Sequence, residues 1–264
     1  MDSVVERSTG YYKVEPEWAP TLRAIGLPDG LSVFEHPQIV VWRKIREREN
    51  CTLDATLPDG RPIRLHIKRF QPSRLDHAAD EVAGIRLLQQ AQIASTPLVG
   101  WGRLQDSRGF LITEDLAGYA PADKLIAGGV PFDRLLEPIA DLAARLHGSG
   151  LHHRDLYLCH FFIRMDAGRP ADLRLIDAAR VRKLPRFFSR RWIVKDLAQF
   201  RYSTQALPIS NAERQQWFDR YASRQKLKRA SSLLSRVIAK TRWIEKHDRR
   251  LKASQPERDV SLRH

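Results

Sequence analysis

The sequence predicts an α+β protein in two lobes, a small strand-rich one followed by a larger, mainly helical one. Three observations carry this. Between residues 39 and 70 apolar residues fall in short runs and alternating stretches, the strand period. Beyond residue 131 they recur mostly at helical spacing. The two patterns are segregated along the chain, which separates α+β from an alternating α/β order. At 264 residues the chain can bury a full core. The expected boundaries are an irregular leader over 1–30, punctuated by Pro16, Pro20 and Pro28, a strand-rich lobe over 31–115, and a helical lobe over 116–264.

The elements follow in order. Residues 39–42 (IVVW) and 51–57 (CTLDATL) read as strands. Leu57-Pro58-Asp59-Gly60 is a turn, and Pro62 to Phe70 is the return strand of a hairpin. In it Ile63, Leu65 and Ile67 alternate with Arg64, His66 and Lys68. A helix runs from about Asp76 to Gln92, with Val82, Ile85, Leu88 and Ala91 at helical spacing and Glu81 on the side of Ile85 and Leu88. Strands follow at 97–103 and 110–113. Pro131-Phe132-Asp133 opens a second helix, whose stripe is Leu135, Leu136, Ile139, Leu142, Ala143 and Leu146; Gly148 and Gly150 end it. Leu173 to Ile176 is a short apolar strand that stops at Asp177. The remainder is helical: 192–205, then a helix to about Tyr221 behind the capping box Ser210-x-x-Glu213, then a long basic helix striped by Leu227, Leu234, Val237, Ile238, Ile244 and Leu251.

Composition narrows the class. Hydrophobic residues make up 42% of the chain, yet no apolar run approaches the ~18–20 residues that span a bilayer. The segment MDSVVERSTGYYKVEPEW is acidic in part and has no hydrophobic stretch, so it does not read as a secretory signal. Two cysteines, Cys51 and Cys159, make no disulfide framework and fit a reducing cytosol; Cys159 reads as a small buried residue. The net charge of +14 is concentrated. Residues 180–201 carry +7 and residues 224–264 carry +9, which leaves the rest of the chain at −2. Such focusing points to an anionic partner, against the plainer alternative of a solvated basic surface. There is no zinc-type Cys/His spacing and no nucleic-acid motif, so nucleic acid is not an expected partner.

The chemistry concentrates in residues 152–162, HHRDLYLCHFF. His153-Arg154-Asp155-Leu156, with His160 five residues after the aspartate, is close to the H-R-D-L-x-x-x-N loop of protein-kinase-like phosphotransferases. In that loop the aspartate takes the proton of the attacking hydroxyl, and the residue five on helps hold magnesium. A lone His-Arg-Asp says little, so the surroundings decide. An apolar helix precedes the loop, and Leu175-Ile176-Asp177-Ala178 follows where a kinase places its second metal-binding aspartate. Upstream, Lys68 on a strand and Glu81 on the next helix stand in the order of the lysine that grips ATP phosphates and its glutamate partner. Phosphoryl transfer spreads charge over oxygens, so positioned cations and carboxylates are the residue types it needs. His160 has two open roles, ligating a metal or hydrogen-bonding Asp155; magnesium's preference for oxygen favours the second. His153 reads as packing beneath the loop. No G-x-G-x-x-G precedes Lys68 and no P-loop occurs. A cover for the phosphates would fall near Arg43–Asn50, with Arg43, Lys44, Arg46 and Arg48.

HHRDLYLCHFF, LITEDL (111–116), LID (175–177) and RRWIVKDLAQFRYS (190–203) together resemble the bacterial lipopolysaccharide kinases, the Kdo/heptose kinase family, over roughly residues 40–220. Histidine at position 160 agrees with that pattern. The resemblance implies a protein-kinase-like two-lobed fold, with a nucleotide-binding first lobe and a catalytic second lobe. It implies ATP- and Mg2+-dependent phosphorylation of a sugar hydroxyl, of heptose or Kdo, in the lipopolysaccharide inner core. By the same analogy Asp155 is the catalytic base, with Arg154 and His153 beside it. Asp177 and His160 form the metal side, and Lys68 with Glu81 serves the phosphates. Glu114 and Asp115 lie at the hinge where backbone groups meet adenine, and Asp196 is a buried brace for the loop.

The basic segments then acquire a use. Residues 180–201 follow the metal aspartate, so Arg186, Arg190 and Arg191, interleaved with Phe187, Phe188 and Trp192, form a basic acceptor-side surface suited to an anionic glycolipid. The expected location is cytoplasmic, peripheral on the inner face of the inner membrane. The C-terminal helix either adds membrane contact or packs its stripe on the larger lobe. Two alternatives stand beside this. One is a kinase of protein or another small alcohol; Arg154 and the basic surface favour an anionic acceptor over an aminoglycoside. The other is a non-catalytic kinase-like fold that binds anionic partners, against which the intact Lys68, Glu81, Asp155 and Asp177 argue.

Overall fold

The computed structural model describes residues 10–57 and 59–254. The chain divides into two units. The first runs to Arg86 and includes Thr96–Ala117; the second comprises Leu87–Ser95 and everything from Gly118 onward.

The first unit is built on six strands. β1 is Tyr11–Val14, followed by the short helices α1 (Ala19–Ala24) and α2 (Ser32–Glu35). Then come β2 (Val40–Ile45), β3 (Arg48–Thr56), β4 (Pro62–Phe70), helix α3 (His77–Gln90), β5 (Leu98–Arg103) and β6 (Gly109–Glu114). The sheet is antiparallel throughout, in the order β1-β5-β6-β4-β3-β2. The alternation read in β4 holds: Leu65 and Ile67 are buried against Cys51, Leu53, Phe110 and Ile112. Lys68 lies on the opposite face, as strand geometry requires. The expected β3–β4 turn closes with Gly60 N–H donating to the Leu57 carbonyl at 2.8 Å, and Gly60 has φ +84°; Pro58 of that turn lies outside the described residues.

Residues 10–30 are not an irregular leader. β1 pairs with β5 from Tyr11↔Arg103 to Val14↔Gly100, and α1 delivers Leu22 to the core beside Leu27 and Val33. Four residues are too few to show a period, and the prolines at 16 and 20 start helical turns here. β5 accommodates the extra strand through Gly102: a Cβ there would meet the Tyr11 carbonyl at 2.5 Å and the Phe110 ring at 2.6 Å. Residues 1–9 of the expected leader lie outside the described residues.

The second unit begins with β7 (Tyr119–Pro121), α4 (Ala122–Ala127) and α5 (Phe132–Gly148). β8 (Leu151–His152), β9 (Phe161–Asp166), β10 (Arg169–Leu175) and β11 (Arg182–Lys183) follow, then α6 (Ser189–Ser203), α7 (Asn211–Arg224) and α8 (Ala230–Ser254). The strand expected at 173–176 is the end of a β9–β10 hairpin, and a small sheet runs β10-β9-β7. The capping box at α7 is present: Ser210 Oγ accepts from Glu213 N–H at 3.2 Å, and Glu213 accepts from Ser210 N–H at 2.7 Å. Phe200 of α6 stacks on Trp217 of α7 at 3.9 Å. α8 packs on α6 and buries Leu233 and, of the expected stripe, Val237, while Leu234, Ile238, Ile244 and Leu251 are half-buried; residues 255–264 lie outside the described residues. No described helix is long and apolar enough to cross a membrane.

Candidate active site

In the second unit the loop from His153 to His160 is held at both ends. β8 enters it paired with β11, Arg182 opposite His152, so its start is tied to the segment after Asp177. At its exit His160 carbonyl accepts from Ile176 N–H at 3.0 Å. Arg154 has φ +71° and Asp177 has φ +60°, a left-handed conformation that costs a non-glycine residue about 1 kcal/mol or more and is concentrated at functional sites.

Asp196 explains how the loop keeps that shape. It is fully buried in α6, and its carboxylate accepts from two consecutive loop amides, His153 N–H at 2.7 Å and Arg154 N–H at 2.8 Å. Burial alone would raise its pKa; the His147 side chain, nearby His153 and the loop amide reverse that and hold it below the usual carboxylate range. His147 Nε2 lies 3.4 Å from Asp196, and its Nδ1 lies 2.8 Å from the Tyr221 hydroxyl. A carboxylate can only accept, so Nε2 carries a proton, and the Nδ1–tyrosine hydrogen bond holds the ring from its other side. Lys195 adds a third tie, donating to the Arg154 carbonyl at 2.8 Å.

The other loop residues divide by environment. His153 is fully buried and donates from Nε2 to the Ile176 carbonyl at 3.1 Å; burial pushes its pKa down and keeps it neutral. It positions the backbone before Asp177, beneath the loop as its sequence context suggested. The Arg154 guanidinium lies 4.8 Å over the Trp192 ring, and burial, then the charge of Arg180, lowers its pKa. His152 packs on the same indole at a tilt of 31°, and burial takes its pKa down to about 4. Cys159 has its thiol pushed up to about 12 by burial, so it is protonated and unreactive at neutral pH.

Asp155 is partly exposed, its side chain at 22% exposure. Arg180 Nη1 donates to both of its oxygens at 3.0 Å, and Gln199 Nε2 lies 3.4 Å from Oδ1. His160 Nδ1 lies 2.7 Å from the Asp155 backbone carbonyl, not its carboxylate. Nδ1 must therefore carry the proton, and in the neutral ring Nε2 presents a lone pair. That nitrogen is 3.8 Å from Asp177 Oδ2. Two electron-pair donors facing each other at this distance suit a cation between them or a proton on the ring. The carboxylate matches magnesium and the imidazole is its weaker ligand. Among the described residues no three His, Cys, Asp or Glu converge as a metal centre, so substrate oxygens and water would complete any coordination shell.

In the first unit Lys68 Nζ pairs with Glu81 Oε1 at 2.6 Å, and Glu81 is 3% exposed. This strand–helix pair is the one expected. Glu114 ends β6 and Asp115 follows it, but their N–H groups are spent on the Pro97 and Arg64 carbonyls, at 3.0 and 3.1 Å. Any backbone hydrogen bond from these two residues to a base falls to their carbonyls. The Asp115 carboxylate is paired with His66 at 2.6 Å. Arg43–Asn50 forms the β2–β3 hairpin, with Arg46 and Glu47 at its turn and Lys44 paired to Glu49.

Arg186 and Arg190 are exposed between β11 and the first turn of α6; Arg190 reaches Ser232 at 3.2 Å, and Arg191 sits over Trp192 at 5.7 Å. Sequence reasoning missed Arg180, His147, Tyr221 and Gln199. Their contacts cross 25 to 74 residues and leave no local pattern.

Residues 69–221 match the family model described as lipopolysaccharide kinase (Kdo/WaaP) family. The chain belongs to the lipopolysaccharide kinase (Kdo/WaaP) family. The matched span includes Glu81, Asp155, Asp177 and Asp196, and begins one residue after Lys68. Curated relatives of this kinase family agree. The lipopolysaccharide core heptose(I) kinase WaaP of Pseudomonas aeruginosa is 26% identical over 222 residues, covering 74% of this chain and 82% of that protein. WaaP of Escherichia coli is 28% identical over 148 residues, 51% of this chain and 56% of its own. Among solved structures, WaaP in complex with acyl carrier protein superposes with a TM-score of 0.67 at 23% identity, covering 88% of this chain and 98% of that one, which establishes the kinase-like fold. Nothing in the sequence suggested a carrier-protein partner of the kind held there.

Proposed function

We propose that this protein is an ATP-dependent kinase that phosphorylates a sugar hydroxyl, heptose or Kdo, of the lipopolysaccharide inner core. The observation that carries the reading is the loop at Asp155: a partly exposed carboxylate on a backbone clamped by the buried Asp196. The curated relatives, named as core heptose(I) kinases, supply the acceptor class.

In the reaction the acceptor oxygen bonds to the γ-phosphorus as the bridging bond to ADP breaks, and the hydroxyl proton passes to Asp155. Asp155 orients that hydroxyl, and Gln199 and the backbone clamp fix its carboxylate. Arg154 and His153 are positioning residues, since both are committed to packing within the unit. Asp177 would hold magnesium, with His160 Nε2 beside it. The metal, when bound, supplies neutralisation of phosphate charge. Lys68, aimed by Glu81, adds a further cation for the phosphates. The Glu114–Asp115 segment would meet adenine through carbonyls. Arg186, Arg190 and Arg191 would face the anionic acceptor, and the protein would work peripherally at the cytoplasmic face of the inner membrane.

The test is direct. Purified protein with labelled ATP, magnesium and extracted core lipopolysaccharide is expected to label the glycolipid. Asp155→Asn is expected to lose transfer by about a thousandfold or more while still binding ATP. Absence of both transfer and ATP binding in the parent protein would sink the kinase reading. Labelling of a protein or unrelated alcohol in preference to the glycolipid would move the acceptor.

A further inference from the structure

The most exposed large apolar side chains among the described residues are two neighbours, Phe187 at 77% and Phe188 at 84%. Soluble proteins bury phenylalanine, and two adjacent rings in water need a reason. No ring contact is made by either among the described residues. The backbone presents them actively. Leu184 N–H is anchored to the Gly150 carbonyl at 2.7 Å, which fixes the base of the loop. Phe188 then takes φ +66° immediately before α6, a left-handed conformation unfavourable for an aromatic residue. Arg191 N–H closes the turn on the Phe188 carbonyl at 3.0 Å. The rings are held out between two hydrogen-bonded anchor points.

The charge around the tip has one sign. Residues 180–201 contain eight Lys/Arg and a single acid, Asp196, which is fully buried, so the exposed surface of this segment shows cations only. Arg186 precedes the rings and Arg190 and Arg191 follow them, all exposed. Arg190 reaches Ser232 at the start of α8, and the charge of Arg191 is felt at Lys240, so the cationic surface continues onto that helix. Paired aromatic rings collared by arginine match the interface of an anionic bilayer, where rings enter the acyl boundary and guanidinium groups meet headgroup phosphates. A second copy of this chain would bring like charge against like charge and is disfavoured on the same evidence of sign.

We propose that the Phe187–Phe188 tip, with Arg186, Arg190 and Arg191, is a docking element that inserts into the surface of an anionic membrane. It gives the membrane-facing part of the functional reading above a specific anchor, and rests on that reading only for why a membrane is present.

Flotation of the full chain with vesicles is the test. Wild type is expected to float with phosphatidylglycerol/phosphatidylethanolamine vesicles and not with pure phosphatidylcholine. F187S/F188S is expected to lower the partition coefficient about tenfold or more, while its melting temperature stays at the wild-type level, which shows that it is folded. R186S/R190S/R191S is expected to weaken binding and flatten its dependence on salt. Undiminished flotation of F187S/F188S, or none by the wild type, overturns the proposal, as does a wild-type dimer in solution that these two substitutions dissolve. Loss of turnover in every form, with flotation intact, instead counts against the kinase reading alone.

Discussion

A carboxylate with no solvent access is stable only when its oxygens are satisfied, and Asp196 meets that condition with two loop amides and His147. Asp196→Asn keeps the shape but exchanges one acceptor oxygen for an NH2 that faces a donor. The expected cost is about 1–3 kcal/mol of stability, together with a fall in kcat larger than any change in nucleotide affinity, read by thermal melting and steady-state kinetics. A second prediction concerns Arg180, whose guanidinium touches the base it accompanies. Arg180→Ala is expected to reduce kcat/KM for the acceptor about tenfold to a hundredfold and leave ATP binding unchanged; equal damage to both would make the contact merely structural. These two residues also show what a sequence reveals at this scale. Asp155 and Asp177 announce themselves through local spacing, and Asp196 through family likeness. Arg180 joins Asp155 only because the β8–β11 ladder folds the chain back on itself.

Elements were legible in proportion to their length and their own chemistry. α5 has a full apolar stripe and α7 has its capping box, so both are readable from sequence. β1 and β9 were not, because short strands are defined by partners and not by their own period. The contact between α5 and α7 carries a polar seam of the same hidden kind. Asp141 takes paired hydrogen bonds from Arg220, at 2.8 and 2.9 Å, and from Arg224, at 2.9 and 2.6 Å. The hydrogen bond from Arg220 is foremost in holding its carboxyl well below the ordinary range. A carboxyl whose folded pKa is depressed contributes stability above its unfolded pKa and loses it as pH falls through the folded one. Asp141→Asn is therefore expected to lower the melting temperature at pH 7. The gap to wild type should close progressively below about pH 4, where the wild-type carboxylate begins to lose its advantage. A gap constant from pH 7 to pH 2 would assign the effect to packing.

For the molecule as a whole, ligand binding and stability are linked, and the Lys68–Glu81 pair lets the two be separated. Glu81 is almost wholly buried, and its Oε2 has no hydrogen-bond partner. Removing Lys68 strands that charge, so Lys68→Met should destabilise the protein even without nucleotide, by about 2–4 kcal/mol given that Lys68 is itself a quarter exposed. A loss of activity in that variant would therefore prove nothing about phosphate binding. Lys68→Met with Glu81→Leu removes the stranded charge and is expected to recover most of the melting temperature. Mg-ATP at a hundred times its dissociation constant should stabilise the wild type by about 2.7 kcal/mol. If Lys68 neutralises phosphate, the doubly substituted protein melts near the wild type when empty yet shows a much smaller shift at the same nucleotide concentration. A full nucleotide shift in that protein would confine the pair to holding β4 against α3, and leave phosphate charge to be met from the side of Asp177.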